Sequence, residues 1–403
     1  MKLTSISKNS IVASLKYFLC LPIAFVFYKK QKGVWIISER PDQARDNGYI
    51  FFKYMREKHP TQRVYYLIDK GAQDYKKIEE YGNVIQINSW KHYLYYCLSK
   101  VHISAHVNGC CPDGAIGISR RTKKKVGFKD VFLPHGVSYG VSEFCLKKYA
   151  VIDLFICSGK AEYDNILENY GYSKEEVVYT GFPRLDEWHN LTVNPKLIVL
   201  MPTWRTYLAQ DSSVAFGETL YFQTYQKLLQ NQELREFLEE NDLHFVFYLH
   251  NEMKKYVGYF STDCKNIEIV DNDCTYDIQE LLKSAAILIT DYSSVHFDFA
   301  YMGKPVIYFP FDSFEFMKRQ YSKSIFDMEE NGFGPVARNT EEIVKNLRES
   351  YRKSFQMERK YMMRMERFYP LHDAHNCERV WATIRKKERQ WWEYAGKRSS
   401  NYL

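Results

Sequence analysis

AAILITDYSSVHFDFAYMGKPVIYFPFD, residues 285–312, passes from an apolar run through a polar turn and an apolar-faced helix into a second apolar run. The run into Thr290 is apolar at nearly every position, as a strand covered on both faces of a sheet must be. Asp291, Tyr292, Ser293 and Ser294 make a turn, a helix is predicted from near Ser294 to Gly303, and Pro305 opens the next strand. Serines at a strand-to-helix turn offer hydroxyls beside outward-pointing backbone N–H groups, and such a turn receives anions. Asp298 lies one helical turn beyond Ser294 on the same face. Without a ligand, the same residues make an ordinary helix cap.

Working outward, the strand–helix alternation continues in both directions. Upstream, LIVLMPTW (197–204), a helix over about 221–240, HFVFYLH (244–250) and IEIV (267–270) belong to the same series. A polar joint containing Pro195 interrupts it at residues 186–196. A second series precedes the joint: VWIIS (34–38), a helix at 47–59, VYYLID (64–69), VIQI (84–87), a helix at 91–100, VHISAH (101–106), FLPHG (132–136), VIDLFICS (151–158) and VVYTGFP (177–183). Two such series predict an α/β protein of two doubly wound parallel-sheet domains facing a cleft, with ligands beyond the carboxyl ends of the strands. The expected divisions are an apolar and basic segment at 1–32, domains at 33–190 and 191–365, and a basic helical tail at 366–403.

Strand ends supply the chemistry. His135, followed by Gly136, closes the FLPHG strand, and histidine is the side chain best placed to exchange a proton near neutral pH. His250 closes HFVFYLH and is read as a hydrogen-bond donor to phosphate; the plainer alternative is a core-edge histidine. Thr203 and Arg205 in MPTWR add a hydroxyl and a fixed cation suited to phosphate. In GFPRLD (181–186), Arg184 is expected to pin the joint by pairing with Asp186.

Composition bounds the rest. At 403 residues and 45% apolar, the chain can bury two cores, and its +7 charge suits anionic partners. No residues have the spacing of a metal site, no cofactor is called for, and no groove-reading motif speaks for nucleic acid. Residues 11–28 form the one strongly apolar run, barely long enough to span a bilayer and followed by Lys29, Lys30 and Lys32. With the basic run Arg120, Arg121, Lys123, Lys124, Lys125 and the tail Arg385, Lys386, Lys387, Arg389 beside Trp391 and Trp392, it suits an anionic membrane surface. A first core helix and solvated charges are the alternatives.

HG, G-x-P-R-x-D, P-T-W-R, a strand-ending histidine and I-T-D-Y-S-S-V-x-F-D-x-A followed by K-P occur here in one order. The set, together with WIISERPDQARDNGYIFFKYM and INSWKHYLYYCLSKVHISAH, resembles the CDP-glycerol glycerophosphotransferases, the teichoic-acid primases and polymerases. The resemblance covers roughly residues 34–385. It implies a GT-B fold of two Rossmann-like domains, with a lipid-linked polymer acceptor on the first and CDP-glycerol or CDP-ribitol on the second. It further implies His135 as general base, His250, Ser293 and Ser294 as pyrophosphate contacts, and Asp291 and Asp298 as capping or hydroxyl-holding groups. No bound metal is required, and the expected place is the cytoplasmic face of the bacterial membrane. Two rivals stay open: a GT-B glycosyltransferase using a nucleotide-sugar, and a non-catalytic membrane scaffold. The chain departs from the family pattern where Pro134 precedes His135, where Val137-Ser138-Tyr139 follows, and where Asn251 follows His250.

Overall fold

The computed structural model describes residues 8–28, 33–210, 215–271, 277–319 and 326–399. Among them, all strands lie in two parallel sheets. The first contains β1 (Trp35–Ser38), β2 (Val64–Ile68), β3 (Val84–Gln86), β4 (Val101–Ser104), β5 (Lys129–Phe132), β6 (Leu154–Cys157) and β7 (Val177–Tyr179), in the order β3-β2-β1-β4-β5-β6-β7. The second contains β8 (Leu197–Leu200), β9 (His244–Phe247), β10 (Ile267–Ile269), β11 (Ile287–Thr290) and β12 (Val306–Tyr308), in the order β10-β9-β8-β11-β12. In both sheets the order reverses beside the first strand, so each is doubly wound and Rossmann-like, the GT-B type of α/β architecture.

The apolar strands have a direct physical reason. In the second sheet, Ile198, Leu200, Phe245, Phe247, Ile287 and Ile289 enter one buried cluster. Their sequence neighbours Leu197, Val199, Val246 and Leu288 enter another. Alternate side chains point to opposite faces and both faces are covered, so neither set tolerates a polar residue. Burying each such side chain contributes about 1.5–3 kcal/mol.

The chain divides into two compact units, residues 1–137, 142–187 and 373–403 forming unit 1, and residues 138–141 and 188–372 forming unit 2. The terminal helix Asn376–Ser399 therefore belongs to unit 1. It is fastened there by GFPRLD. Asp186 accepts the N–H groups of Asn376 and Cys377, both at 2.8 Å, and the Asn376 amide at 2.7 Å. Gly181 has φ +80°, and a Cβ there would meet Asn376 Oδ1 at 1.8 Å, so both the turn and the close approach require glycine.

The helix expected over 221–240 is two, Leu220–Leu229 and Gln232–Glu240. Asn231 breaks the run because its side chain accepts the Leu234 N–H at 2.9 Å and caps the second helix.

The apolar run forms the helix Lys8–Tyr28. Ala13, Tyr17, Cys20 and Ala24, at helical spacing, are buried in a cluster with Tyr93, Tyr96 and Cys97 of the helix Trp90–Leu98. Its other side exposes Leu15, Phe18, Phe25 and Val26 at 59, 55, 79 and 70%. No helix among the described residues is long and apolar enough to cross a membrane. Trp391 and Trp392, expected at headgroups, are partly buried within unit 1, with Lys129 over the first ring at 5.8 Å and Lys100 over the second at 4.4 Å. Lys29, Lys30 and Lys32, and the side chains of Arg121, Lys124 and Lys125, lie outside the described residues.

Candidate functional site

In unit 2, three adjacent strands bring their carboxyl ends together. Leu200 of β8 pairs with Ile289 of β11 on one side and with Phe247 of β9 on the other. This register sets Thr203, the turn Asp291–Ser294 and His250 at one edge of the sheet, beside the switch point between β8 and β11.

Asp291 organises that edge. Its carboxylate accepts the Thr203 N–H and the Tyr292 N–H at 2.7 Å, the Arg205 guanidinium at 2.8 Å and the Tyr225 hydroxyl at 3.2 Å. Arg205 also meets Asp312 through two bonds of 2.8 Å and donates to the Thr203 carbonyl at 2.7 Å. Burial opposes the charge of Arg205, but Asp291 and Asp312 more than reverse this and raise its pKa well above the ordinary value. The expected phosphate ligand is thus a fully buried cation held by two carboxylates. Arg205 and Asp291 shape the turn rather than line a surface. Asp298 is also buried, at 8% exposure.

The groups left at the surface of this edge are the Ser293 and Ser294 hydroxyls and the His250 imidazole. Ser294 precedes the helix Val295–Tyr301 with φ −63° and makes no side-chain cap, so it does not serve as the ordinary helix cap of the alternative reading. Asp291 already holds the turn, so the Ser293 and Ser294 hydroxyls are not needed for it. The Thr203 hydroxyl is buried and has no partner among the described residues. His250 accepts the Glu252 N–H on Nδ1 at 3.2 Å, which places the proton of the neutral ring on Nε2. Its ring stacks on Trp204, centroids 5.7 Å apart and planes at 14°. Tyr139, in the segment after His135-Gly136, belongs to unit 2, where its hydroxyl donates to the Tyr292 carbonyl. Lys304 of the K-P pair donates to the carbonyls of Leu282, Lys283 and Ala285 at 2.5, 2.9 and 2.8 Å, and so closes the end of the helix Ile278–Ser284.

In unit 1, His135 lies beyond the end of β5. Its loop is held from behind, with Asn47 donating to the Pro134 carbonyl at 2.7 Å and Arg184 donating to the His135 carbonyl at 2.8 Å. Arg184 also pairs with Asp46 at 2.7 Å. Arg184 and Asp186 therefore take separate partners: the first steadies the histidine loop, the second starts the terminal helix. The His135 ring is open to solvent, yet the protein crowded around it, followed by the Arg184 and Arg40 charges, outweighs Asp46 and lowers its pKa.

His106, past the end of β4, has its ring centroid 5.2 Å from that of His135. Burial, then His135 and Arg40, lower its pKa to about 4. Both rings are therefore neutral at pH 7, the form that accepts a proton. His106 stands at a strand end in VHISAH, the same signal that marks His135 and His250, but without a following glycine. The two histidines line a pocket of about 610 Å³ with Asn108, Arg120, Phe144 and Lys148. No cluster of metal-ligating side chains occurs among the described residues.

Comparison with known proteins places the chain in a family. The chain is 31% identical over 365 residues to the minor teichoic acid biosynthesis protein GgaB of Bacillus subtilis (strain 168), covering 88% of this chain and 40% of that protein. It is 23% identical over 386 residues to the teichoic acid poly(glycerol phosphate) polymerase of the same organism, covering 89% of this chain and 49% of the relative. The chain thus spans half or less of the length of these relatives. The structure of the wall teichoic acid polymerase TagF (H548A) shares the fold, with a TM-score of 0.67 at 17% identity, over 95% of this chain and 99% of that one. Residues 19–386 match the family described as CDP-Glycerol:Poly(glycerophosphate) glycerophosphotransferase, and the chain belongs to it.

Proposed function

We propose that this chain transfers a polyol phosphate, glycerol phosphate or ribitol phosphate, from its CDP-activated form to a hydroxyl at the end of a lipid-linked teichoic-acid or capsule acceptor. The observation that carries this reading is the edge of unit 2. There the Ser293 and Ser294 hydroxyls and the His250 ring come to one sheet edge, while Asp291 is neutralised by Arg205 beneath them. A diphosphate needs such donors and no bare carboxylate facing it.

In the reaction, the acceptor hydroxyl gives its proton to neutral His135 and its oxygen attacks the β-phosphorus of the CDP-polyol. The bond from that phosphorus to the bridging oxygen breaks, CMP leaves with the electron pair, and a phosphodiester forms. His250 donates a hydrogen bond to the phosphate on which charge accumulates. His250→Ala is expected to weaken CDP binding about tenfold and to lower kcat about 10²-fold. Its melting temperature should fall only slightly, because the half-buried ring closes no core but caps the turn at Glu252 and stacks on Trp204. Calorimetry with CDP and steady-state rates check this, and unchanged affinity would remove His250 from the site.

The exposed apolar side of the helix Lys8–Tyr28 supports a peripheral or monotopic seat on the cytoplasmic face of the membrane, where a lipid-linked acceptor is found. The deciding experiment incubates the protein with an acceptor and a panel of CDP-polyols and weighs the products. Mass increments of one polyol phosphate with release of CMP are expected. Stabilisation by UDP- or GDP-sugars in place of CDP-polyols would favour a glycosyltransferase, and no nucleotide response at all would favour a scaffold.

A further inference from the structure

Several positive side chains of unit 1 have carboxylate partners. Lys123 pairs with Asp130 and Asp153 at 2.6 Å, Lys129 with Asp153 at 2.8 Å, and Lys147 with Glu176 at 2.6 Å. Arg120 and Lys148, which line the pocket, have no carboxylate partner among the described residues. Arg120 donates to the Tyr149 carbonyl at 3.3 Å, and Lys148 lies 4.7 Å above the Tyr149 ring, so Tyr149 brings both cations to one wall. No Asp or Glu lines the pocket. His106 and His135, which also line it, are neutral, leaving Arg120 and Lys148 as the charged residues of its lining.

Unpaired cations on a convex surface are commonly just solvated. These two share a concavity with a proton acceptor, whereas Lys123, Lys129 and Lys147 are neutralised by carboxylates. The pocket thus offers fixed positive charge to an anion and an imidazole to a hydroxyl. Its volume of about 610 Å³ exceeds what a single hydroxyl needs and suits a polyol carrying a phosphate. In a polyol phosphate chain, the reactive hydroxyl lies one polyol beyond the last phosphodiester, an anion at every physiological pH.

We infer that Arg120 and Lys148 hold the last phosphodiester of the acceptor chain while His135 meets the hydroxyl beyond it. The enzyme then extends a polymer already begun in preference to starting on a phosphate-free end. This rests on the transfer reaction proposed above and adds to it the chemistry by which the acceptor is selected.

The test compares two acceptors in detergent, an alkyl glycoside and the same glycoside carrying two polyol phosphate units. The parent protein should favour the second by about 10–100-fold in kcat/KM. In the Arg120→Gln/Lys148→Gln double variant, the ratio should fall to within about threefold of one, through KM for the phosphate-bearing acceptor. A parent ratio near one, or an undiminished ratio in the variant, overturns the inference. Binding is measured separately by titrating soluble glycerol phosphate and ribitol phosphate trimers without nucleotide. One trimer should bind the parent at least about tenfold more tightly than the variant, with CDP affinity as the folding control. Transfer without trimer binding sinks the inference alone. Trimer binding lost in the variant, with no transfer from any CDP-polyol, sinks the reaction and supports the subsite.

Discussion

His135→Ala is expected to lower turnover by about 10²–10⁴-fold, the usual contribution of a positioned general base, while leaving CDP affinity and melting temperature nearly unchanged. The two halves of this expectation have separate causes. The ring is solvent-exposed and fills no core, so its loss creates no cavity. The loop is fixed through backbone carbonyls, by Asn47 at Pro134 and Arg184 at His135, and alanine keeps both. What disappears is the atom that takes the hydroxyl proton. The pH profile follows the same logic. Crowding, Arg184 and Arg40 lower the pKa, so the neutral, active form persists below the ordinary histidine range. The acid limb of kcat/KM should therefore lie below pH 6.5 and vanish in the variant. Near-normal rates in His135→Ala would remove it as the base.

Arg205→Met should destabilise unit 2 by about 3–5 kcal/mol, the cost of removing one partner from a buried charge network. Asp291 and Asp312 would be left buried without their cation. Because Asp291 also receives the Thr203 and Tyr292 N–H groups, the edge of the sheet should loosen and CDP binding should fall with stability. A surface phosphate ligand would behave otherwise, losing affinity with the fold intact. Denaturant titration with CDP calorimetry separates the two. Adding Asp312→Asn to the variant should restore part of the stability by removing one stranded charge, and a further loss would contradict the network as described.

Much of the fold was legible in the sequence because its cause is local. VWII, LIVL and ILIT are short runs apolar at consecutive positions and rich in β-branched residues, as a strand covered on both faces requires. The positions of His135, His250 and the DYSS turn at strand ends followed from the same reading. What escaped it depends on contacts distant in sequence. Asp186 receives Asn376 across 190 residues, and Arg205 meets Asp312 across 107; neither leaves a periodic trace. Arg205 looked like a phosphate ligand because an arginine at a strand end is indistinguishable, from sequence, from one buried between carboxylates. The overlooked histidine had the opposite problem: VHISAH carried the same strand-end signal as FLPHG, without a glycine to draw notice.

The return of residues 373–399 to unit 1 governs how the protein is made. A nascent chain emerging from the ribosome has β1 to β7 in hand long before the helix that Asp186 starts, and must wait through the whole of unit 2 for it. Until then Asp186 lacks its N–H partners, and Trp35, whose indole N–H reaches Glu388 at 3.4 Å, lacks part of its cover. Unit 2, nearly continuous in the chain, can mature first. A gene cut after residue 187 would accordingly yield an aggregation-prone fragment, and one supplied in trans with residues 373–399 should recover solubility.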